Sequence, residues 1–324
     1  MKNTSYQILA AVVLIFIFSS CGRIDILTPA VLGFLKGDSA APVDSLSLPP
    51  PPEELGFMSP LIQRSGIDSE PDLSHTTGNI VFVSNFSGSK DIWSANSSGL
   101  NLQRLTTSIK NETTPVWNHD GTIIAFSSDS IGVQDVWKMS ADGEDLQVLT
   151  PDSTNDIMPT FNSNSSQIAF TSDRSGNLDI WIMSSAGGSA EQLTTSSSSD
   201  FRPDWSPDGN KIAFISDRTG TREIWCIDVK SLELEQVTDT GYEHDTPAWS
   251  PTGQYIAYAA KKEGNWDVLI KEYGRIVAPV QATISNDSDT GPTWLSLEEG
   301  IICVSGRTGG LDIFKMIFFS GLGK

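Results

Sequence analysis

Apolar residues in this chain come in short runs, and the runs recur. One stretch reads Pro203-Asp204-Trp205-Ser206-Pro207-Asp208-Gly209, then Lys211-Ile212-Ala213-Phe214-Ile215-Ser216, then Glu223-Ile224-Trp225. Its first proline recurs as Pro71, Pro115, Pro159, Pro203, Pro247 and Pro292, at steps of 44, 44, 44, 44 and 45 residues. Two residues after each stands Leu73, Trp117, Phe161, Trp205, Trp249 or Trp294. Twenty residues after each begins an acid, an aliphatic and a bulky apolar residue: Asp91-Ile92-Trp93, Asp135-Val136-Trp137, Asp179-Ile180-Trp181, Glu223-Ile224-Trp225, Asp267-Val268-Leu269 and Asp312-Ile313-Phe314. A period in the forties built of short strands and turns is the pattern of propeller blades.

Each copy predicts four strands. The first carries the proline and the aromatic, and Ser206-Pro207-Asp208-Gly209 has the chemistry of a tight turn after it. The second, Lys211 to Ser216, is apolar on both faces, as in a sheet covered on both sides. The third runs from Glu223 to Asp228 and the fourth is short, ending near Val237-Thr238. The expected fold is therefore all-β: a six-bladed propeller of four-stranded blades over residues 57–324. The sixth copy has no closing Leu-Thr strand, whereas Leu61-Ile62 precedes Pro71 as Leu149-Thr150 precedes Pro159. Residues 57–64 are thus expected to complete the last blade and close the ring, removing two exposed edges.

Residues 1–20 read as a leader, with Lys2 and an apolar run of 11 residues, Ile8 to Phe18, too short to span a bilayer. Phe18-Ser19-Ser20-Cys21 resembles a lipobox, which makes Cys21 the lipidated first residue of a mature lipoprotein. An ordinary cleaved signal or an uncleaved anchor is the alternative. Residues 21–56, with Pro49-Pro50-Pro51-Pro52, read as a flexible proline-rich tether.

The formal charge is −19, from 21 Lys and Arg against 40 Asp and Glu. That disfavours nucleic acid, whose phosphates need Lys and Arg, and an anionic membrane surface. Cys226 and Cys303 fall in the fourth and sixth copies, so no disulfide is expected between them. A closed ring needs no second subunit, which makes a monomer the expectation.

Pro203-x-Trp205-Ser206-Pro207-Asp208-Gly209, Ile212-Ala213-Phe214 and Ser216-Asp217-Arg218 resemble the WD40-like repeats of the TolB propeller family, and the likeness runs over about residues 60–317. The resemblance implies a six-bladed propeller serving as a binding platform. TolB itself is a periplasmic protein with an α/β domain ahead of its propeller, and it engages a peptidoglycan-associated lipoprotein. The stretch ahead of the repeats is too short for that domain and carries its own lipidation motif. The resemblance therefore carries the fold and the platform role, not that partner.

Alternating strand direction puts the loops between second and third strands, and the connections between blades, on one face. Two polar columns fall there. Three residues before each proline stand Asp68, Glu112, Asp156, Asp200 and His244, with Asp289 in the longer last copy. Fourteen and fifteen residues after it stand Asn85-Phe86, Asp129-Ser130, Asp173-Arg174, Asp217-Arg218, Lys261-Lys262 and Gly306-Arg307. One reading is a carboxylate ring at the channel mouth, for a cation or the basic loop of a partner. The other is blade architecture: acids accepting backbone N–H bonds at strand entries and pairing with arginines between blades. Blades that break the pattern then mark binding, with His244, Lys261 and Lys262 in the fifth and Phe86 as an aromatic anchor in the first. His75 and His119 fall in the turn column on the opposite face, and the tryptophans repeat with the blade as core residues.

There is no nucleophile elbow, no Cys/His pair and no phosphate-cradling glycine loop. No cofactor is expected, a cation at the channel mouth being the one exception left open. The function that follows is a non-catalytic binding propeller, lipid-anchored in the bacterial cell envelope, which engages an envelope protein through the acidic loop face. The alternative is a protein that binds or degrades an envelope polysaccharide, with Asp156 and Asp200 as an acid/base pair.

Overall fold

The computed structural model describes residues 56–295 and 299–318. The expected leader, Cys21 and nearly all of the tether lie outside these residues. Every regular element described is a strand, and the strands form six four-stranded antiparallel sheets. The first blade is Asp68–Leu73, Ile80–Ser84, Asp91–Ala95 and Gln103–Arg104, in that order from the channel outward. The next four repeat this plan. The sixth is closed by β1 (Gly56–Ile62), which runs antiparallel to β24 (Asp312–Phe318) from Gly56↔Phe318 to Ile62↔Ile313. This is the closure expected from the missing Leu-Thr strand.

The hydrophobic core is not central. It is divided among the spaces between neighbouring blades, where second and third strands meet the proline-strand aromatic of the next blade. Val81, Val83 and Ile92 of the first blade pack with Trp117, Ile124 and Phe126 of the second. Ile180, Ile182 and Leu193 of the third blade pack with Trp205, Ile212 and Phe214 of the fourth. The repeating tryptophan and the double-sided apolar strand are thus two sides of one contact. Ile62 of β1 joins Leu73, Ile80 and Phe82 of the first blade, so closure also seals the junction between last and first blades. Cys226 and Cys303 are both buried.

The outermost strands are only two or three residues long and are held by a side-chain clasp. Thr106, Thr150, Thr194, Thr238 and Thr283 each accept the N–H of the aliphatic residue after the column acid, at 2.8–2.9 Å. Thr194 also donates to Asp179 at 3.2 Å. The Leu-Thr ending and the acid twenty residues after the proline are therefore the two halves of one hydrogen-bonded unit.

Each innermost strand carries a bulge at the same place. The residue before the proline is left-handed in every blade: Glu70 (φ 52°), Thr114 (49°), Met158 (57°), Arg202 (55°), Thr246 (50°) and Gly291 (59°). Strand pairing skips across each, for example between Phe201 and Asp204. Only the last is glycine, so five non-glycine residues hold a conformation that costs on the order of 1 kcal/mol or more each.

Candidate functional site

The columns read from the sequence do meet on the face of the connections between blades, but not as an open ring. Asp68, Glu112, Asp156, Asp200, His244 and Asp289 are all at most 2% exposed. Arg174 reaches Asp156 at 2.6 Å, Arg218 reaches Asp200 at 2.9 Å and Arg307 reaches Asp289 at 3.1 Å. These pairs lie within one blade, not between blades as the architectural reading supposed. Each of two guanidinium groups also lies over the third-strand tryptophan: Arg174 is 5.0 Å from the Trp181 ring and Arg218 is 4.6 Å from the Trp225 ring. Glu112 has no arginine and is held by Ser108, Thr106 and Ser128.

The backbone N–H groups at strand entry go to the other column. Asn111, Asn155 and Ser199 donate to Asp129, Asp173 and Asp217, each at 2.9 Å, and Ile67 donates to the Asn85 side chain at 2.7 Å. Phe86 stands where other blades have arginine. It meets Trp93 edge-to-face at 6.1 Å, and Arg64, arriving from the closing segment, reaches Asp68 at 3.3 Å and lies 4.2 Å from the Trp93 ring. The missing cation is supplied from elsewhere in the chain, which leaves Phe86 with half its surface in solvent.

Burial pushes the carboxyls of Glu112 and Asp156 upward, opposed by hydroxyls at the first and by Arg174 at the second. The acid twenty residues after a proline is itself pushed upward, by burial first and then by the first-column acid of the next blade: Asp156 acts so on Asp135 and Asp289 on Asp267. Where the fourth and fifth blades meet, His244 replaces that second acid. Its Nδ1 is 3.1 Å from Glu223 and 3.0 Å from the Arg222 carbonyl, and its Nε2 is 3.2 Å from the Thr240 hydroxyl. Burial would raise the Glu223 carboxyl, but His244, Thr238 and the Thr240 N–H outweigh it and bring it to about 2. His244 is thus a packing residue facing a carboxylate, not a surface ligand.

The channel holds the residues that the sequence reading passed over. Its cavity, about 650 Å³, is walled by the six innermost strands. The bulges bring Glu70, Thr114, Met158, Arg202, Thr246 and Gly291 to its wall, a column as irregular as the neighbouring prolines are constant. Arg202 and Asp245 form an ion pair at 2.6 Å there. The same wall carries Asp72 and Asp204, in the first and fourth blades and so opposite each other in a ring of six. Asp72 accepts the Trp117 N–H and Asp204 the Trp249 N–H, both at 2.7 Å. Burial raises Asp72 to about 6. Burial, and then Asp72 across the channel, raise Asp204 to about 7. The available signal was the residue after each proline, which is acidic in only these two copies.

The connection face is divided by sector. Ile67, Phe86, Ile109, Ile131 and Leu311 are all exposed, Ile109 at 93%. All five belong to the sixth, first and second blades and the connections between them. Hydrogen bonds join the segments that carry them: the Asp68 N–H donates to the Leu311 carbonyl, the Ile67 N–H to Asn85 beside Phe86, the Glu112 N–H to the Lys90 carbonyl and the Asn111 N–H to Asp129 near Ile131, while Tyr242, in the connection between the fourth and fifth blades, is the exposed apolar residue outside them. The third to fifth blades carry Ser153, Ser197 and Gly241 in place of Ile109, and Ser175, Thr219 and Glu263 in place of Ile131. Lys261 and Lys262 are exposed in the fifth blade. Among the described residues no group of three His, Cys, Asp or Glu side chains is placed to hold a metal ion.

Comparison with known proteins agrees with this architecture. The family model described as the TolB beta propeller domain matches residues 147–278. A putative TolB from Agrobacterium tumefaciens is similar in structure, with a TM-score of 0.63 at 18% identity, over 79% of this chain and 92% of that one. TolB from Acinetobacter baumannii gives 0.58 at 20% identity, over 81% of this chain but 57% of that one. An oligogalacturonate lyase from Vibrio parahaemolyticus gives 0.57 at 12% identity, over 80% and 93% of the two chains. At such identities the likeness is one of fold. No curated protein matches the chain in sequence.

Proposed function

We propose that this TolB-like propeller is a non-catalytic binding module of the bacterial cell envelope, held to a membrane by a lipid on Cys21, that docks a protein partner on its connection face. The observation that carries the reading is the apolar sector formed by Ile67, Phe86, Ile109, Ile131 and Leu311. Large apolar side chains clustered at loop tips on one part of one face mark an interaction surface. The repeated carboxylates lie beneath that face and are already engaged, so specificity falls to positions where a blade departs from the repeat.

The test is cross-linking of the tagged full-length chain in its own cells, beside Ile109→Asp/Ile131→Asp. These side chains are exposed, so the melting midpoint should stay within about 2 °C of the parent. A protein captured by the parent and lost in the variant is the expected result. A partner captured equally by both would overturn the assignment of the surface. Mass spectrometry of the mature chain tests the tether separately: a diacylglyceryl group on Cys21 supports it, and an unmodified Cys21 refutes it.

A further inference from the structure

Eight of the nine tryptophans occupy the two repeat columns, and Trp266 does not. It departs from the expectation that all of them are core. It is partly exposed and stands where other blades have Lys90, Gln134, Leu178, Arg222 or Leu311. The local fold explains its position. In the first four blades the residue fourteen after the proline accepts an N–H from the incoming connection, and in the fifth that residue is Lys261, which cannot accept. Here β19 (Tyr255–Lys262) and β20 (Asn265–Glu272) instead pair to their ends and turn over Glu263 and Gly264, at φ 53° and 91°. The innermost strand, β18 (Glu243–Trp249), also begins early, pairing Glu243 with Lys261.

The result is a row across three strands, Glu243↔Lys261↔Trp266. Direct cross-strand partners present their side chains on the same face of a sheet. These three, with Asp217, Thr221 and Arg222 from the fourth blade, line a cleft of about 420 Å³. The Lys261 ammonium is 5.8 Å from the Trp266 ring. Arg222 lies 5.4 Å from the Phe201 ring and only 3.6 Å from Glu243, both partners about half exposed. Such an exposed pair contributes little to stability and leaves both groups available.

We infer that this cleft binds an acidic saccharide, a uronate-bearing glycan residue. An indole offers a flat apolar face for the C–H side of a pyranose, while a few convergent polar groups set orientation. Arg222 and Lys261 match a sugar carboxylate, and Asp217 and Glu243 are acceptors for its hydroxyls. A neutral sugar would make no use of the two cations, and a bare phosphate would make no use of the indole. The cleft belongs to the fourth and fifth blades, apart from the apolar sector, so the inference stands independently of the protein-docking reading.

The experiment is calorimetric titration of the full-length chain with galacturonate and glucuronate oligosaccharides, and with maltotriose as the neutral control. Saturable binding of a uronate oligosaccharide, at least about ten-fold weaker in Trp266→Ala and in Lys261→Ala, is expected, with none for maltotriose. Trp266→Phe keeps an aromatic face and should stay within about three-fold of the parent, which separates stacking from a fold defect. No saturable binding of either uronate series, equal binding of maltotriose, or full retention in a folded Trp266→Ala would each overturn the inference.

Discussion

At Asp204 a carboxylate projects into the channel wall with only neutral donors, the Trp249 N–H at 2.7 Å and the Thr160 hydroxyl at 3.5 Å. Its ionisation rises to about 7, well above that of an unfolded aspartate. The folded state therefore binds the proton more tightly than the unfolded chain. The stability this contributes is present at low pH and is lost as pH rises through 7. Asp204→Asn keeps an acceptor for the Trp249 N–H and removes the ionisation. The variant should gain about 1–2 kcal/mol over the parent at pH 8, with a smaller gain at pH 5, in urea titrations at both pH values. An equal change at the two pH values would show that Asp204 ionises normally. Asp200 differs in having a full-charge partner, Arg218 at 2.9 Å. Asp200→Asn leaves Arg218 without its carboxylate in a site that is fully buried on the acid's side, and should cost about 3 kcal/mol by denaturant midpoint. Acids from two neighbouring columns thus respond oppositely to the same substitution, for reasons their spacing in the chain does not contain.

Among the elements, β1 does the most for its length. Seven residues satisfy the outer edge of β24 and bring Ile62 into the junction with the first blade. The turn of the first blade also leans on it: a Cβ at Gly99 would sit 2.0 Å from the Leu61 carbonyl, and φ there is +72°. Gly99→Ala should therefore destabilise the closure, by about 1–3 kcal/mol, with the change in denaturant midpoint as its measure. A chain beginning at Ser69 should lose far more, because the edge of β24 and the ring junction open together. An unchanged melting midpoint in that truncation would mean that β1 is dispensable. The six inner-strand bulges are the other element-level device. They bring the residue before the proline to the channel wall beside the proline itself, and that one position varies from blade to blade.

In the whole molecule, a core divided among blade interfaces leaves two loop faces and a channel open to functional change. The repeating chemistry is consumed by the fold: threonine clasps, Arg–acid pairs and strand-entry acceptors recur from blade to blade as parts of the blades themselves. Function was therefore least legible where the sequence was most regular. The acid column, which allowed either a channel-mouth site or blade architecture when read in one dimension, is buried throughout, and three of its acids pair with an arginine of the same blade. Trp266 and the Asp72–Asp204 pair, by contrast, were present in the sequence as single departures from a column. What made them stand out was adjacency, to a cleft for the first and across a channel for the second. Because the two proposed sectors occupy different blades, Trp266→Ala is expected to leave protein capture unchanged, and Ile109→Asp/Ile131→Asp to leave saccharide titration unchanged.

The sequence by itself determined the number of blades, the four strands in each, the turn chemistry and the closure by residues near 57–64. Those properties follow from local periodicity and from one 44-residue repeat, both of which survive being read along a line. Only the tertiary structure decided which carboxylates face solvent and which are neutralised, where Arg64 replaces a missing arginine, and which irregular residues meet. Those depend on contacts between side chains one or more blades apart in the chain. Their energies are set by burial and by the charge of the neighbour, quantities that exist only once the ring has closed.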